Sequence, residues 1–537
     1  MLSSLSPWTW ALALAVGFCA CSYYLASAKN RRRHLPLPPA PRPLPIIGNL
    51  LDLPPADTPE FQHWLEHKDR YGPVSCVSVM GKMLVIIHGR GAADEILGKL
   101  AAKTSGRPSS VFAGELCGYE ALLPFQGYSG TFVRSRGLLH RELGTKALSA
   151  QFQDTQEVEA GRLLVRVLNR PKDWREHFKT SAAATIVKTT YGYAIDSKET
   201  DILVTLIDKR LEEFSRAATP MTWMVDIFPF LRHIPEGFPG AGFHKTARIW
   251  GEAVHEAAWL PYRFVQRQMA HGTNRESYVS KMINKFDAEG GGGSDGQGGM
   301  SKQDEKDLVW AAVSLYGAAT DTTVHTLTAF TLAMILFPQV QRRAQEEIDS
   351  VVGKERFPTF EDRDRLPYVD ALVKEVMRWW PMVPMGLPHA TEDEVEYDGM
   401  RIPKGAYLLP AVWWFLKDPA VYADPQAFDP TRFLAPRDEP DPKPDVFGYG
   451  RRICPGRFFA DAGLFITIVR SLAAFELSKA VLDDGTEVDV DVRPKPGIIC
   501  FPTHFDCKIV PRSPEHAELI RQFERQHPWE AGDAQLL

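Results

Sequence analysis

Phe447-Gly448-Tyr449-Gly450-Arg451-Arg452-Ile453-Cys454-Pro455-Gly456 is the stretch on which the reading of this chain turns. Its pattern is F-x-x-G-x-R-x-C-x-G: one thiol on a glycine-bounded loop, with an arginine two residues before it. A lone cysteine is by default a small buried hydrophobe. Its neighbours argue against that default. Gly450 and Gly456 take up dihedrals closed to residues with a Cβ and let the backbone approach a flat ligand closely. Arg452 adds a fixed cation that can pair with an anionic group beside a thiolate.

The whole chain sets the bounds. It has 537 residues, a formal charge of −5 and seven cysteines. That charge gives no argument for nucleic acid, and none is expected as a partner. An odd number of irregularly spaced cysteines makes no disulfide framework, which favours a reducing, cytosol-facing environment. Residues Trp8 to Ala28 carry no charge and are mostly apolar, about the ~20 residues a helix needs to cross a bilayer. Lys29, Arg31, Arg32 and Arg33 follow at once, so the order predicts an uncleaved anchor with the rest of the chain on the cytosolic side.

Working along from the anchor, residues 1–33 read as a membrane anchor with its basic flank, and 34–49 as a proline-rich hinge. The run from Leu35 to Pro45 holds too many prolines for a helix or a central strand. Residues 50–512 read as one mixed body and 513–537 as a C-terminal tail. Val74 to Ile87, turning at Gly81-Lys82, predicts a β-hairpin. Gly290 to Gly299 reads as a flexible surface loop and not a phosphate cradle, because no Lys-Ser/Thr ends it. Ser301 to Phe337 then runs uninterrupted until Pro338, a helix of about 35 residues and about 50 Å. Asp304 and Glu305 suit its N-terminus.

Two polar motifs lie on helical segments. Gly317-Ala318-Ala319-Thr320-Asp321-Thr322-Thr323 puts an acid beside a hydroxyl in an apolar helix, where each must be bonded or used. Taken alone, Thr322 can simply bond back to the preceding turn. Glu375-Val376-Met377-Arg378 is E-x-x-R, whose spacing places both charges on one helix face.

In order along the chain, these motifs resemble the cytochrome P450 superfamily. Pro388-His389-Ala390-Thr391, Pro403-Lys404-Gly405 and Asp418-Pro419 look most like its fungal microsomal members, the O-methylsterigmatocystin oxidoreductase-like monooxygenases. The resemblance implies the haem-thiolate fold, mainly α with a smaller β region, preceded by an N-terminal transmembrane helix. It implies haem b with Cys454 as the axial thiolate, an arrangement that favours O–O cleavage. Phe447, Gly450, Gly456 and Arg452 belong to the same haem-binding string.

Further roles follow from the resemblance. Arg136 and His389 join Arg452 in holding the haem carboxylates, with Phe132 standing where the family has tryptophan. Asp321 and Thr322 deliver protons to dioxygen, with Ala319 in place of the usual glycine. Glu375, Arg378 and Arg432 form a structural ion cluster, Thr431 replacing a glutamate. Val111, Phe112, Phe125, Tyr316, Thr320, Met382, Val383, Met385, Ile498 and Ile499 are expected to wall the substrate pocket.

The expected reaction inserts one oxygen atom from O2 into a lipophilic or aromatic molecule, in fungal secondary metabolism. No G-x-G-x-x-G fingerprint follows a strand, so NADPH-derived electrons are expected from a separate membrane-bound NADPH–cytochrome P450 reductase. Arg134, Arg141, Lys146 and Arg457 would form its docking face. The expected location is the endoplasmic reticulum membrane. Two rival readings are an O2-independent haem-thiolate isomerase or dehydratase, and a non-enzymatic haem protein.

Overall fold

The computed structural model describes residues 35–196, 201–218, 222–289, 300–482 and 484–537. The expected anchor and the Gly290–Gly299 loop lie outside them. Among the described residues, no single helix is long and apolar enough to cross a membrane.

Helices dominate. The main ones here are α1 (Gly130–Leu143), α2 (Gln153–Asn169), α3 (Trp174–Tyr191), α4 (Ile202–Ala218), α5 (Lys302–Leu336), α6 (Pro367–Trp379) and α7 (Arg457–Ala474), which border the site, and α8 (Pro514–Gln526), which lies outside it. The strands are β1 (Val74–Val79), β2 (Lys82–Ile87), β3 (His389–Ala390), β4 (Val395–Tyr397), β5 (Met400–Ile402), β6 (Tyr407–Pro410), β7 (Phe475–Lys479) and β8 (Cys507–Pro511). β1, β2, β6 and β3 form one sheet in that order. β4–β5 and β7–β8 are separate antiparallel pairs. The expected hairpin is β1–β2, with Val74 opposite Ile87 and Val79 opposite Lys82.

Helix α5 is the spine. Ser301 caps it by accepting the Asp304 N–H, as its sequence position favours. Its first half, Leu308 to Tyr316, is buried in one hydrophobic core with α1, α3 and α4. Its second half, Leu327 to Ile335, is buried in another core with α2, α6 and α7. A helix apolar on all sides must be wrapped by others. Residues Gly317 to Thr323 fall between the two cores, where the helix borders a cavity.

The proline-rich segment is strapped to the sheets. Pro39 O accepts the Cys76 N–H at 2.9 Å, and Pro36 O accepts the Arg401 N–H at 2.8 Å. At the other end of the chain, the residues expected as a tail dock on α2. Phe523 occupies the space where Gly161 has no side chain, since a Cβ there would lie 2.1 Å from the ring. Trp529 takes the Arg166 guanidinium 4.8 Å from its ring centre. Glu530 pairs with Arg162 and Lys188, and Asp533 with Arg275. The polar sequence of this segment looks like a tail because the residues that hold it lie far away in the chain.

Candidate functional site

A cavity of about 760 Å³ separates the Cys454 loop from the middle of α5. The loop is built by its glycines. Gly448 and Gly450 adopt φ of 80° and 53°, a region that costs other residues strain. A Cβ at Gly450 would stand 2.3 Å from Leu97 O, so only glycine lets the loop press against that segment. The Cys454 N–H donates to Phe447 O at 2.7 Å, closing the loop before α7 begins at Arg457. Phe447, Arg452, Cys454 and Gly456 line the cavity, while Gly450 supports them from behind.

Burial pushes the Cys454 thiol up from its ordinary pKa, while the Gly456 N–H and the charges of Arg136 and Arg457 pull it down. Metal coordination would overcome the remaining shift, because a coordinating thiol is deprotonated outright. Among the described residues, no group of three His, Cys, Asp or Glu side chains is poised to hold a metal ion. A metal at Cys454 therefore has to bring most of its own ligands, as a macrocycle does.

Beside the loop lies an excess of positive charge. Arg107, Arg136 and Arg452 all line the cavity, and none makes an ion pair among the described residues. Each instead donates to backbone carbonyls. Arg452 Nε bonds Ser105 O at 2.7 Å and Nη2 bonds Gln126 O at 2.6 Å. Its Nη1 is buried without a hydrogen-bond partner among the described residues. Arg136 donates to Ile453 O, next to the cysteine. Arg107 donates to Pro124 O, Leu387 O and Pro388 O at 2.7, 3.1 and 2.7 Å. Burial, with repulsion from Arg452 and Arg136, lowers the Arg107 pKa to about 9. Arg452 is lowered to about 10 by burial and by Arg136. Unpaired buried cations are costly, and a dianionic ligand would relieve them.

His389 also borders the cavity, but not as a resident cation. Its Nδ1 lies 2.9 Å from Thr104 O, and burial and the Arg107 charge lower its pKa to about 3. A carboxylate placed beside it would raise that value. Arg107 is the cation that sequence reading missed. Its arginine-proline context carries no periodic signal, and its role is visible only in the three carbonyls that hold it.

Across the cavity, Gly317, Ala318, Ala319, Asp321, Thr322 and Thr323 present the exposed side of α5. The Thr322 hydroxyl donates to Ala318 O at 2.9 Å and remains partly accessible. Its oxygen retains acceptor capacity.

Behind the loop, Glu375 and Arg378 on α6 are fully buried with Arg432. Arg378 makes a two-pronged pair with Glu375 at 2.6 and 2.8 Å. Arg432 Nε reaches the same carboxylate at 3.0 Å, and its Nη1 bonds Glu439 at 2.6 Å. Thr431 bonds Asp429, whose carboxylate pairs with Arg437. Glu439 and Asp429 thus furnish acidic groups around the position where the expected glutamate is missing.

Of the expected pocket residues, Phe125, Met382, Val383, Ile498 and Ile499 line the cavity. Val111, Phe112, Tyr316, Thr320 and Met385 do not, which corrects the expectation for those five. Phe112 is stacked on Trp223 at 3.5 Å in the core, and Val111 packs against the same core. Tyr316 and Thr320 share the opposite face of α5 from Ala318 and Thr322, both fully buried. Met385 joins the core beneath the sheet.

Comparison with known proteins identifies the family. The cytochrome P450 family model matches residues 38–501. The chain is 45% identical over 494 residues to cytochrome P450 monooxygenase CLM2 of Gibberella zeae, covering 92% of each chain. It is 46% identical to the multifunctional cytochrome P450 monooxygenase af510 of Aspergillus fumigatus, covering 92% of this chain and 91% of that one. It is 40% identical to O-methylsterigmatocystin oxidoreductase of Aspergillus flavus, covering 91% of this chain and 90% of that one. With a thiol on its glycine-built loop, unpaired cations beside it and a polar helix segment opposite, the chain belongs to the cytochrome P450 family and is a haem-thiolate monooxygenase.

Proposed function

We propose that this enzyme oxygenates a lipophilic, aromatic-containing metabolite at the face of α5, in fungal secondary metabolism. The observation that carries the reading is the placement of Cys454 and Thr322 on opposite walls of one cavity, with three uncompensated arginines at its edge. When bound, haem supplies O2 activation at a thiolate-ligated iron. Cys454 would ligate the iron. Arg107, Arg136 and Arg452 would pair with the haem carboxylates, with His389 beside them on the cavity wall.

The other residues position and protonate. Thr322, anchored to Ala318 O, would hold a proton donor at the oxygen-binding face, and Asp321 would resupply it. Phe125, Met382, Val383, Ile498 and Ile499 would exclude water and bury the substrate's apolar surface. The Glu375–Arg378–Arg432 cluster would fix the approach to the cysteine loop.

Electrons would come from a separate NADPH–cytochrome P450 reductase. Arg457, whose Nη1 donates to Cys454 O at 3.2 Å, lies closest to the thiol side, and Lys146 is exposed. Arg134 and Arg141 already pair with Asp307 and Glu289, so Lys146 and Arg457 carry more of the docking charge. Residues 1–33 would anchor the enzyme in the endoplasmic reticulum membrane, with 34–49 as the hinge and the catalytic unit cytosolic. Substrate-dependent NADPH consumption with added reductase and O2 tests the assignment. Product formation without O2 or NADPH would overturn it.

A further inference from the structure

The wall formed by α4 is unusual in its chemistry. Ile207, Arg210, Phe214 and Ala218 form one stripe of that helix and all line the cavity. Apart from Arg210 the stripe is apolar, and Ser215 beside Phe214 adds a hydroxyl group to the same wall. The Arg210 Nη1 pairs with Glu213 at 2.6 Å, both side chains nearly buried. Its Nε is buried and makes no hydrogen bond among the described residues.

Next to this pair stands an aromatic corner. The Phe214 ring lies 4.6 Å from that of Phe125, tilted by 42°, and Tyr119 meets Phe214 edge-on at 5.2 Å. Tyr119 borders the same cavity, and its buried hydroxyl also lacks a hydrogen-bond partner among the described residues. The tilted Phe125 and Phe214 rings thus form an apolar corner on the wall that also carries the Arg210 guanidinium. Buried donors left unpaired are costly, and a ligand acceptor that satisfies one is favoured for it.

We propose that Arg210 and Phe214 form a recognition element for a planar aromatic ketone, the ring packing on Phe125 and Phe214 and the carbonyl oxygen accepting from Arg210. Glu213 decides the charge. Because it already neutralises Arg210, the wall selects a neutral acceptor over a carboxylate. A site built around hydrogen bonds rejects an analogue lacking the bonding group much more strongly than an apolar pocket rejects a lost methylene. This inference rests on the monooxygenase reading only for the purpose of binding, since it concerns the choice of substrate and not its oxidation.

The test is a titration of the full-length holoenzyme with fluorenone, fluorene and fluorene-2-carboxylate, read by the Soret band and by tryptophan fluorescence. Fluorenone is expected to bind about tenfold more tightly than fluorene, and the carboxylate more weakly than fluorenone. Arg210→Met is expected to abolish the ketone preference while changing fluorene affinity by less than about twofold. Glu213→Gln, which frees the arginine charge, is expected to raise carboxylate affinity about tenfold. Equal binding of ketone and hydrocarbon by the wild type would overturn the proposal, as would absence of saturable fluorenone binding. Equal losses for both ligands in Arg210→Met, or no gain for carboxylate in Glu213→Gln, would also overturn it. Failure of the monooxygenase reading is a separate result, a folded protein without a thiolate-type CO spectrum.

Discussion

The guanidinium carbon of Arg452 lies 3.8 Å from the centre of the Phe132 ring. This contact gives the α1 phenylalanine a use beside the cavity that needs no ring N–H. Phenylalanine has no N–H to give a carboxylate, but its face steadies the arginine that has a free donor.

The first prediction follows from that contact. A desolvated cation–π pair contributes about 2 kcal/mol, so Phe132→Leu should let Arg452 wander and speed haem loss. Transfer of haem to an apo-acceptor protein measures it: several-fold faster release is expected for Phe132→Leu, and wild-type release for Phe132→Trp. Unchanged release in the leucine variant would show that Arg452 is held by its carbonyl partners alone.

The buried cluster behind the loop gives a second. Glu375 receives both Arg378 and Arg432, all three without solvent exposure. Removing the shared carboxylate leaves Arg378 buried without a counter-ion and Arg432 with Glu439 alone, at a cost of about 3–5 kcal/mol. Glu375→Ala is expected to accumulate as apo or misfolded protein. Thr431→Ala, which leaves Glu439 and Asp429 in place, should cost about 1 kcal/mol or less in denaturant unfolding. A larger loss at Thr431 than at Glu375 would reverse the assignment.

Thr322 gives a third. Its hydroxyl is tied to Ala318 O within an already hydrogen-bonded helix, so Thr322→Ala should preserve folding. With reductase and substrate, NADPH oxidation should continue while more of it ends as peroxide. Peroxide and product assayed together decide the matter, and tight coupling in the variant would remove Thr322 from proton delivery.

How much of this was legible beforehand depended on the kind of signal. The β1–β2 hairpin, helix α5 and the cysteine loop follow from periodicity, capping and glycine placement, which are local. The cluster at Glu375 was legible in part, because its partner at 439 lies outside any motif. Arg107 was not legible, since an arginine held by three carbonyls looks like any other arginine until the backbone folds round it. Phe112 and Met385 were read as pocket walls because apolar residues serve core and cavity alike, and only packing separates them. The docking of the C-terminal segment was hidden because its partners lie far away in sequence: Gly161 makes room for Phe523, and Arg162, Lys188 and Arg275 receive Glu530 and Asp533.

Acid sensitivity gives a fourth prediction. His88 is buried, both ring nitrogens lack partners among the described residues, and burial together with the neighbouring His67 lowers its pKa to about 4. Between about pH 6.5 and 4 the unfolded state binds the extra proton, so stability falls as pH falls through that window, by up to about 1.4 kcal/mol per pH unit. Above pH 6.5 the group contributes no slope. His88→Phe should flatten this acid limb in thermal melts at graded pH. An unchanged limb would assign it to other groups.

The central claim is that Cys454 is the thiolate ligand of a haem iron. Its most direct test is the reduced, CO-treated visible spectrum of the wild type beside Cys454→Ser, with folding checked by circular dichroism. The account predicts a thiolate-type CO band in the wild type and its loss in a folded, haem-containing Cys454→Ser protein. A thiolate-type band that survives in Cys454→Ser, or its absence from well-folded, haem-loaded wild type, would contradict it.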